Sequence, residues 1–374
     1  MTKLLRYKPL FALLISLTFW SACNAQNKSL YTTDILNKLK SSYSAQPKLI
    51  RTQSTSKYNN ITCAIQDRKG IIWFGTDSDG VYTFDGSFFT QYTTKEGLIC
   101  NSIRSLLEDK DGNIWFGTRD GICKTDGKTI SSVPISFFIR PTSTSNTYYN
   151  QWATKNTVWS MMQDKTGKIW FGIGDGVYCY EGGTFTRFLA DGKVINKDSL
   201  HLRLVAALLE DKDGIIWFAS GMPPGYEGLC RFDGKAIKAY KPKKEGWFRN
   251  VLESKNGNLL LATRHFGVWS YDGKSFTDYS QPKELYKASL NAILEDKAGN
   301  LWIASNYGIA QDDTLGGLWY SSSSASNPAA ITFTKIFNKE VYFLFEDKDH
   351  SIWFGSRNME LYKYDRKKII KYSE

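Results

Sequence analysis

Ile65-Gln66-Asp67-Arg68-Lys69-Gly70-Ile71-Ile72-Trp73-Phe74-Gly75-Thr76 decides the fold, because the chain keeps returning to it. It recurs as Leu107-Glu108-Asp109-Lys110-Asp111-Gly112-Asn113-Ile114-Trp115-Phe116-Gly117-Thr118, and again around Trp170, Trp217, Trp302 and Trp353. A seventh copy, Glu253-Ser254-Lys255-Asn256-Gly257-Asn258-Leu259-Leu260, has Leu260 in the tryptophan position. Residues 59–374 shared among seven copies give about 45 residues each, the size of a four-stranded propeller blade.

Copy two parses most cleanly into strands. Ile103 to Glu108 is a short apolar run, and Asp109 to Gly112 a turn whose glycine meets a need for positive φ. Asn113 to Thr118 carries Trp115, Gly121 to Thr125 follows, and Asp126-Gly127 turns into a fourth strand, Lys128 to Val133. The expectation is an all-β, seven-bladed β-propeller of four-stranded antiparallel blades, with almost no helix beyond residue 59. The six repeat tryptophans should be buried apolar wedges between neighbouring blades.

These copies resemble the two-component regulator propeller family, whose repeat reads much like E-D-x-x-G-x-[IL]-W-[FI]-G-T followed by G-[VLI]-x-x-[YF]-D-G. The resemblance runs from about residue 59 to the last residue and implies a recognition role. Family propellers often occur, usually in pairs, as periplasmic sensor regions of hybrid histidine kinases. This sequence has one ring, and no kinase or DNA-binding segment is read in it.

Ahead of the ring, Lys3, Arg6 and Lys8 precede the apolar stretch Leu10 to Trp20, which is too short for a permanent membrane span. Residues 1–22 read as a signal peptide, 23–58 as a linker and 59–374 as the propeller. Trp20-Ser21-Ala22-Cys23 resembles a lipobox, which would put a lipid on Cys23 and anchor an exported protein to a membrane. A cut after Ala25 by an ordinary signal peptidase is the other reading. Leu49-Ile50-Arg51 aligns with an outermost blade strand, and Lys368 to Tyr372 competes for the same place in blade seven; one closes the ring or lies outside it.

The chain carries a formal charge of +11, about +8 without residues 1–22, which suits an anionic surface without naming a partner. The basic charge is spread over all copies and no helix is available for a groove, so nucleic acid is not an expected partner. Of six cysteines, five lie beyond Cys23, with no C-x-x-C pair. They read as small buried hydrophobes rather than metal ligands, although an exported chain could pair some of them. Neither a metal nor a cofactor is expected. Asp109-Lys110-Asp111-Gly112-Asn113-Ile114 has an EF-hand spelling, but Leu107 stands where the first ligand should be and no acid closes the loop. The repeat also resembles the sialidase Asp-box, with a different Asp-to-Gly spacing.

Loop lengths point to one face of the disc. The turn from first to second strand is short in every copy. The insertions Pro134 to Asn156, Ala190 to Leu202, Gly221 to Gly228 and Asn306 to Gly316 belong to the other face, and Ser321 to Ala330 is the one extension on the hairpin face. Long loops on one face of a repeat array mark a binding face. Arg119, Arg264 and Arg357 occupy equivalent places after three second strands, joined there by Trp152, Tyr226, His265 and Tyr307. Guanidiniums and aromatics together suit a glycan, a small anionic ligand or another protein. The hairpin face is expected to offer no concavity. His201 and His265 are candidate bases for a polysaccharide lyase acting on an acidic glycan. His350 replaces the first turn glycine of copy seven, which requires positive φ.

Overall fold

The computed structural model describes Leu49 and residues 59–135, 156–220, 228–242, 247–307, 313–322 and 331–373. Across them, twenty-eight strands form seven four-stranded antiparallel sheets, each joined in chain order. The blades span residues 61–92, 103–133, 158–187, 205–240, 248–278, 289–337 and 343–371. Helix among the described residues is confined to short 3-10 turns, which include Thr94–Glu96, Lys283–Tyr286 and Asp313–Leu315. In blade two the strands are Ile103–Glu108, Ile114–Thr118, Gly121–Thr125 and Ile130–Val133, within two residues of the sequence reading. The first strand of each blade packs against that of the next, and blade seven packs against blade one, so the inner strands close a ring.

All six repeat tryptophans are buried between blades. Each indole N–H also donates to the turn aspartate six residues earlier, at 2.7–3.0 Å in the pairs Trp73–Asp67, Trp115–Asp109, Trp170–Asp164, Trp217–Asp211, Trp302–Asp296 and Trp353–Asp347. The other carboxylate oxygen takes the backbone N–H groups of the turn, as Asp109 does from Asp111 and Asn113. Blade five lacks both members of the pair, with Ser254 for the acid and Leu260 for the indole. Losing both together leaves no buried donor or acceptor orphaned.

The residue after each turn aspartate fastens its blade to the next. Lys110 donates its backbone N–H to Gln163 and its ammonium to the carbonyls of Asp164 and Lys165. Arg68, Lys165 and Lys255 repeat both contacts on the following blade, and Lys212 and Lys297 repeat the backbone one. Lys348 closes the circle on Gln66 and the carbonyl of Asp67. The question of the two termini is settled at blade seven. Ile369–Lys371 supplies its outer strand, and Leu49 adds one parallel bridge beyond, its N–H 2.6 Å from the carbonyl of Tyr372. His350 has the positive φ expected of it, at 63°. The five cysteines in the described residues are free thiols.

Candidate functional site

Six inner strands carry a β-bulge at their second regular position, between Ile61 and Cys63, Ile103 and Ser105, Val158 and Ser160, Val205 and Ala207, Phe248 and Asn250, and Leu290 and Ala292. A bulge leaves its extra residue out of the ladder and re-aims its side chain. The extra residues are Thr62, Arg104, Trp159, Ala206, Arg249 and Asn291, and Tyr342 holds the matching place in blade seven. They meet around the ring. The Arg104 guanidinium lies 5.7 Å from the Trp159 ring centroid, Arg249 donates to the Asn291 amide oxygen at 3.0 Å, and Asn291 donates to the carbonyl of Val341 at 2.8 Å.

Charge is concentrated here. Arg104 pairs with Asp77 at 2.7 Å, where burial pushes the Asp77 carboxyl up and Arg104 and Asn60 pull against it. Arg249 has no carboxylate partner among the described residues. Burial, with Arg264 and then Arg104 nearby, brings its guanidinium down to about 10. His265 feels burial first, then Arg264 and Arg249, and falls to about 4, so its imidazole is neutral at pH 7. Its ring meets Trp247 edge to face at 6.1 Å, and Arg264 lies 3.8 Å over the same indole. Three buried polar atoms of this cluster lack a hydrogen-bond partner among the described residues: Arg104 Nε, Trp159 Nε1 and His265 Nε2.

The rim residues read from sequence do not all stand together. Arg264 and His265 stand with the bulge residues. Arg357 belongs to a different cleft of about 290 Å³ between blades six and seven, where it lies 4.1 Å over Tyr307 and pairs with buried Glu340. Arg119 is exposed, 3.8 Å from Asp120. His201 is exposed on the segment between blades three and four. That segment is also not purely a rim loop. Ile195 bridges to the outer strand of blade four at Ala236, and Leu200 and Leu202 are buried in the core, so part of the insertion serves packing. Trp152 and Tyr226 lie outside the described residues, as do Cys23 and the segments 1–48 and 50–58.

The expectation of a featureless hairpin face is overturned. A cleft of about 1020 Å³ opens there between blades six and seven, lined by residues that include Trp302, Tyr320, His350, Tyr364 and Arg366. Both turn glycines of blade seven are replaced, by His350 and by Arg366 (φ 71°), and both side chains border the cleft. Arg366 spends its charge within the fold, donating to Asp296 and Glu346 at 2.5 and 3.0 Å.

Sequence reasoning named Arg119, Arg264 and Arg357 for this face. It missed Arg104, Trp159, Arg249 and Tyr342, which stand five places before the turn acid of their copies, or before Ser254 in blade five. The available signal was variation at one place of an otherwise uniform strand: Thr, Arg, Trp, Ala, Arg, Asn, Tyr.

The family described as two-component regulator propeller matches residues 55–78, 97–120 and 288–307, over copies one, two and six. The chain carries two-component regulator propeller repeats. Among solved structures, this propeller is similar to the extracellular domain assigned to a hybrid two-component system of B. thetaiotaomicron, at 19% identity and a TM-score of 0.60, covering 84% of this chain and 41% of that one. The chain therefore spans less than half the length of that domain. A catalytically inactive virginiamycin B lyase from Staphylococcus aureus, crystallised with quinupristin, is similar at 14% identity and a TM-score of 0.59, over 85% of this chain and 97% of that one. A third similar propeller is YCF48 bound to D1 peptide, at 11% identity and a TM-score of 0.56, over 88% and 98% of the two chains. At these identities the likeness is one of fold. No curated protein sequence matches the chain.

Proposed function

We propose that this propeller is an exported recognition module that binds an anionic ligand over the channel mouth, on the face of the long insertions. One observation carries the reading: Arg249, buried and without a carboxylate partner among the described residues, stands close enough to Arg264 and Arg104 for both to disfavour its charge. Like charges in a partly buried site oppose folding, and a bound anion turns that repulsion into attraction. Trp159 and Trp247 supply flat apolar surface beside the charges. The larger cleft on the hairpin face has its guanidinium already neutralised, so it offers less to an anion. Export rests on the sequence of residues 1–25 and agrees with the extracellular setting of the similar two-component domain. A lipid on Cys23 would hold the module at a membrane surface.

Catalysis is the second reading, and His265 is the observation that favours it. A neutral imidazole beside two guanidiniums could take a proton made acidic by a neighbouring uronate carboxylate. A lyase among the similar folds is compatible with this. The two readings separate in one experiment. The protein is screened against glycan and peptide arrays, and acidic polysaccharides are incubated with it while the absorbance of an unsaturated product is followed. Saturable binding without product supports the module. Turnover abolished by His265→Ala replaces it with the enzyme, and failure to bind any anionic array member sinks the module.

A further inference from the structure

Resting on that reading, we infer that the bulge positions of the inner strands form one subsite, which takes the carboxylate of a hexuronate unit between Arg104 and Arg249. The bulges place single side chains from successive blades at one level of the channel mouth, and the unpartnered atoms there are informative. Arg104 Nε and Trp159 Nε1 are donors without acceptors among the described residues. The His265 Nε2 is likewise buried without a partner among the described residues, and with the imidazole proton on that atom it is a third donor. Buried donors in native proteins find acceptors, so what is missing is an acceptor-rich group. Arg104 already holds Asp77, but Arg249 has no carboxylate partner among the described residues, and its surplus charge makes the missing group an anion. Guanidinium forks match the planar carboxylate in two-point geometry.

The rest of the ring argues for a sugar rather than a peptide. Thr62 and Tyr342 carry hydroxyls, Trp159 an indole and Asn291 an amide, Ala206 adds only a methyl, and none is a large aliphatic residue. An acidic peptide would gain from an apolar pocket to anchor its neighbouring side chains. A pyranose gains from hydroxyl partners and an indole face. The inner strands also hold this geometry firmly. Thr62 donates to the carbonyl of Ile103, Ser105 to that of Val158 and Ser160 to that of Val205, at 2.8–3.2 Å, pinning neighbouring inner strands at the bulge level.

Titration calorimetry of the whole propeller with trigalacturonate tests the subsite, with maltotriose and an aspartate-terminated peptide as comparison probes. Trigalacturonate should bind and maltotriose should not. Arg249→Met and Arg104→Met should each weaken binding tenfold or more, and Trp159→Phe, which keeps a ring but loses the N–H, several-fold. Arg249→Lys should recover part of the loss. Melting curves accompany each variant, and Arg249→Met is decisive if Arg104→Met fails to fold, since it leaves no carboxylate partner behind. Unchanged trigalacturonate affinity in Arg249→Met overturns the subsite. If Arg264→Ala then abolishes that same binding, the face survives as the binding surface and only the channel assignment falls. Binding of the peptide through Arg249 without trigalacturonate binding refutes the sugar, and no binding of any probe refutes the subsite altogether.

Discussion

Asp109→Ser and Trp115→Leu, made singly and together, graft the natural pair of blade five into blade two. Both wild-type residues are at least 96% buried, and the indole donates to the carboxylate at 2.7 Å. Asp109→Ser removes a charge-assisted bond, orphans the indole N–H and frees the turn N–H groups of Asp111 and Asn113. With about 1–3 kcal/mol for a buried orphan and about 1 kcal/mol for each neutral bond, its cost is about 3–4 kcal/mol. Trp115→Leu takes one of two donors from Asp109 Oδ2, which keeps the Asn113 amide at 2.8 Å, and gives up the ring contacts to Phe171 and Tyr180 at 5.8 and 5.3 Å, a loss of about 4 kcal/mol. The double variant has no indole left to orphan. Its cost should therefore fall short of the sum by about 2 kcal/mol, well beyond the scatter of independent sites. Urea unfolding followed by circular dichroism measures all four corners of the cycle. Additivity within about 0.5 kcal/mol would refute the claim that the turn acid and the tryptophan vary as a unit.

Asp296 gives a pH test. Burial alone would raise its carboxyl, but hydrogen bonds from Arg366, Asn300 and Trp302 hold it at about 2. A depressed carboxylate stabilises the fold above its unfolded pKa, so the advantage of wild type over Asp296→Asn should shrink by about 2 kcal/mol as pH falls from about 4 to about 2; a constant gap contradicts this. His265 should stay neutral down to about pH 5 in imidazole NMR spectra, and Arg249→Met should move its titration upward by removing a like charge; a titration near 6.5 in wild type would mean that the cluster is not assembled. Arg357→Ala should lower the melting temperature more than Arg264→Ala, because it strands buried Glu340, at a cost of about 2 kcal/mol. Equal melting would show that the Glu340 pair contributes nothing. Mass spectrometry of the native N-terminus should find a lipidated Cys23, and a chain starting at Gln26 excludes the lipid.

The blade count, the strand order and the buried tryptophans were legible because each copy spells out the same turn and wedge. Seven repetitions average away local ambiguity. The role of the lysine after each turn acid was written just as plainly, but a single blade gives no reason for it. Lys110 has its partners on blade three, 53 to 55 residues away, and only the closed ring brings them within reach. Arg104 and Arg249 were hidden for a related reason. A period-of-two reading assigns alternate residues to alternate faces, and a bulge breaks that alternation at the very place where the side chain reaches the channel. The misjudged hairpin face came from blade seven, where two substituted turn glycines could be recognised, but not the cleft their side chains border.

The ring of latches also accounts for the asymmetry between the faces. Every first-to-second turn must hand its backbone N–H to the next blade, and five of the seven are seen to add a lysine or arginine contact to that blade's turn carbonyls and four of these a second. An insertion in one such turn would displace both the donor it offers and the carbonyls it presents, breaking contacts with two neighbours at once. The turns are therefore held short by closure of the disc. At the opposite end of the inner strands, bonds such as those from Thr62, Ser105 and Ser160 join some neighbouring blades, but among the described residues no one contact repeats around all seven. There the loops can lengthen, and the bulge residue can change from Thr to Arg to Trp, without opening the ring. Stability is carried on one face by what the copies share, and recognition is proposed on the other, where they differ.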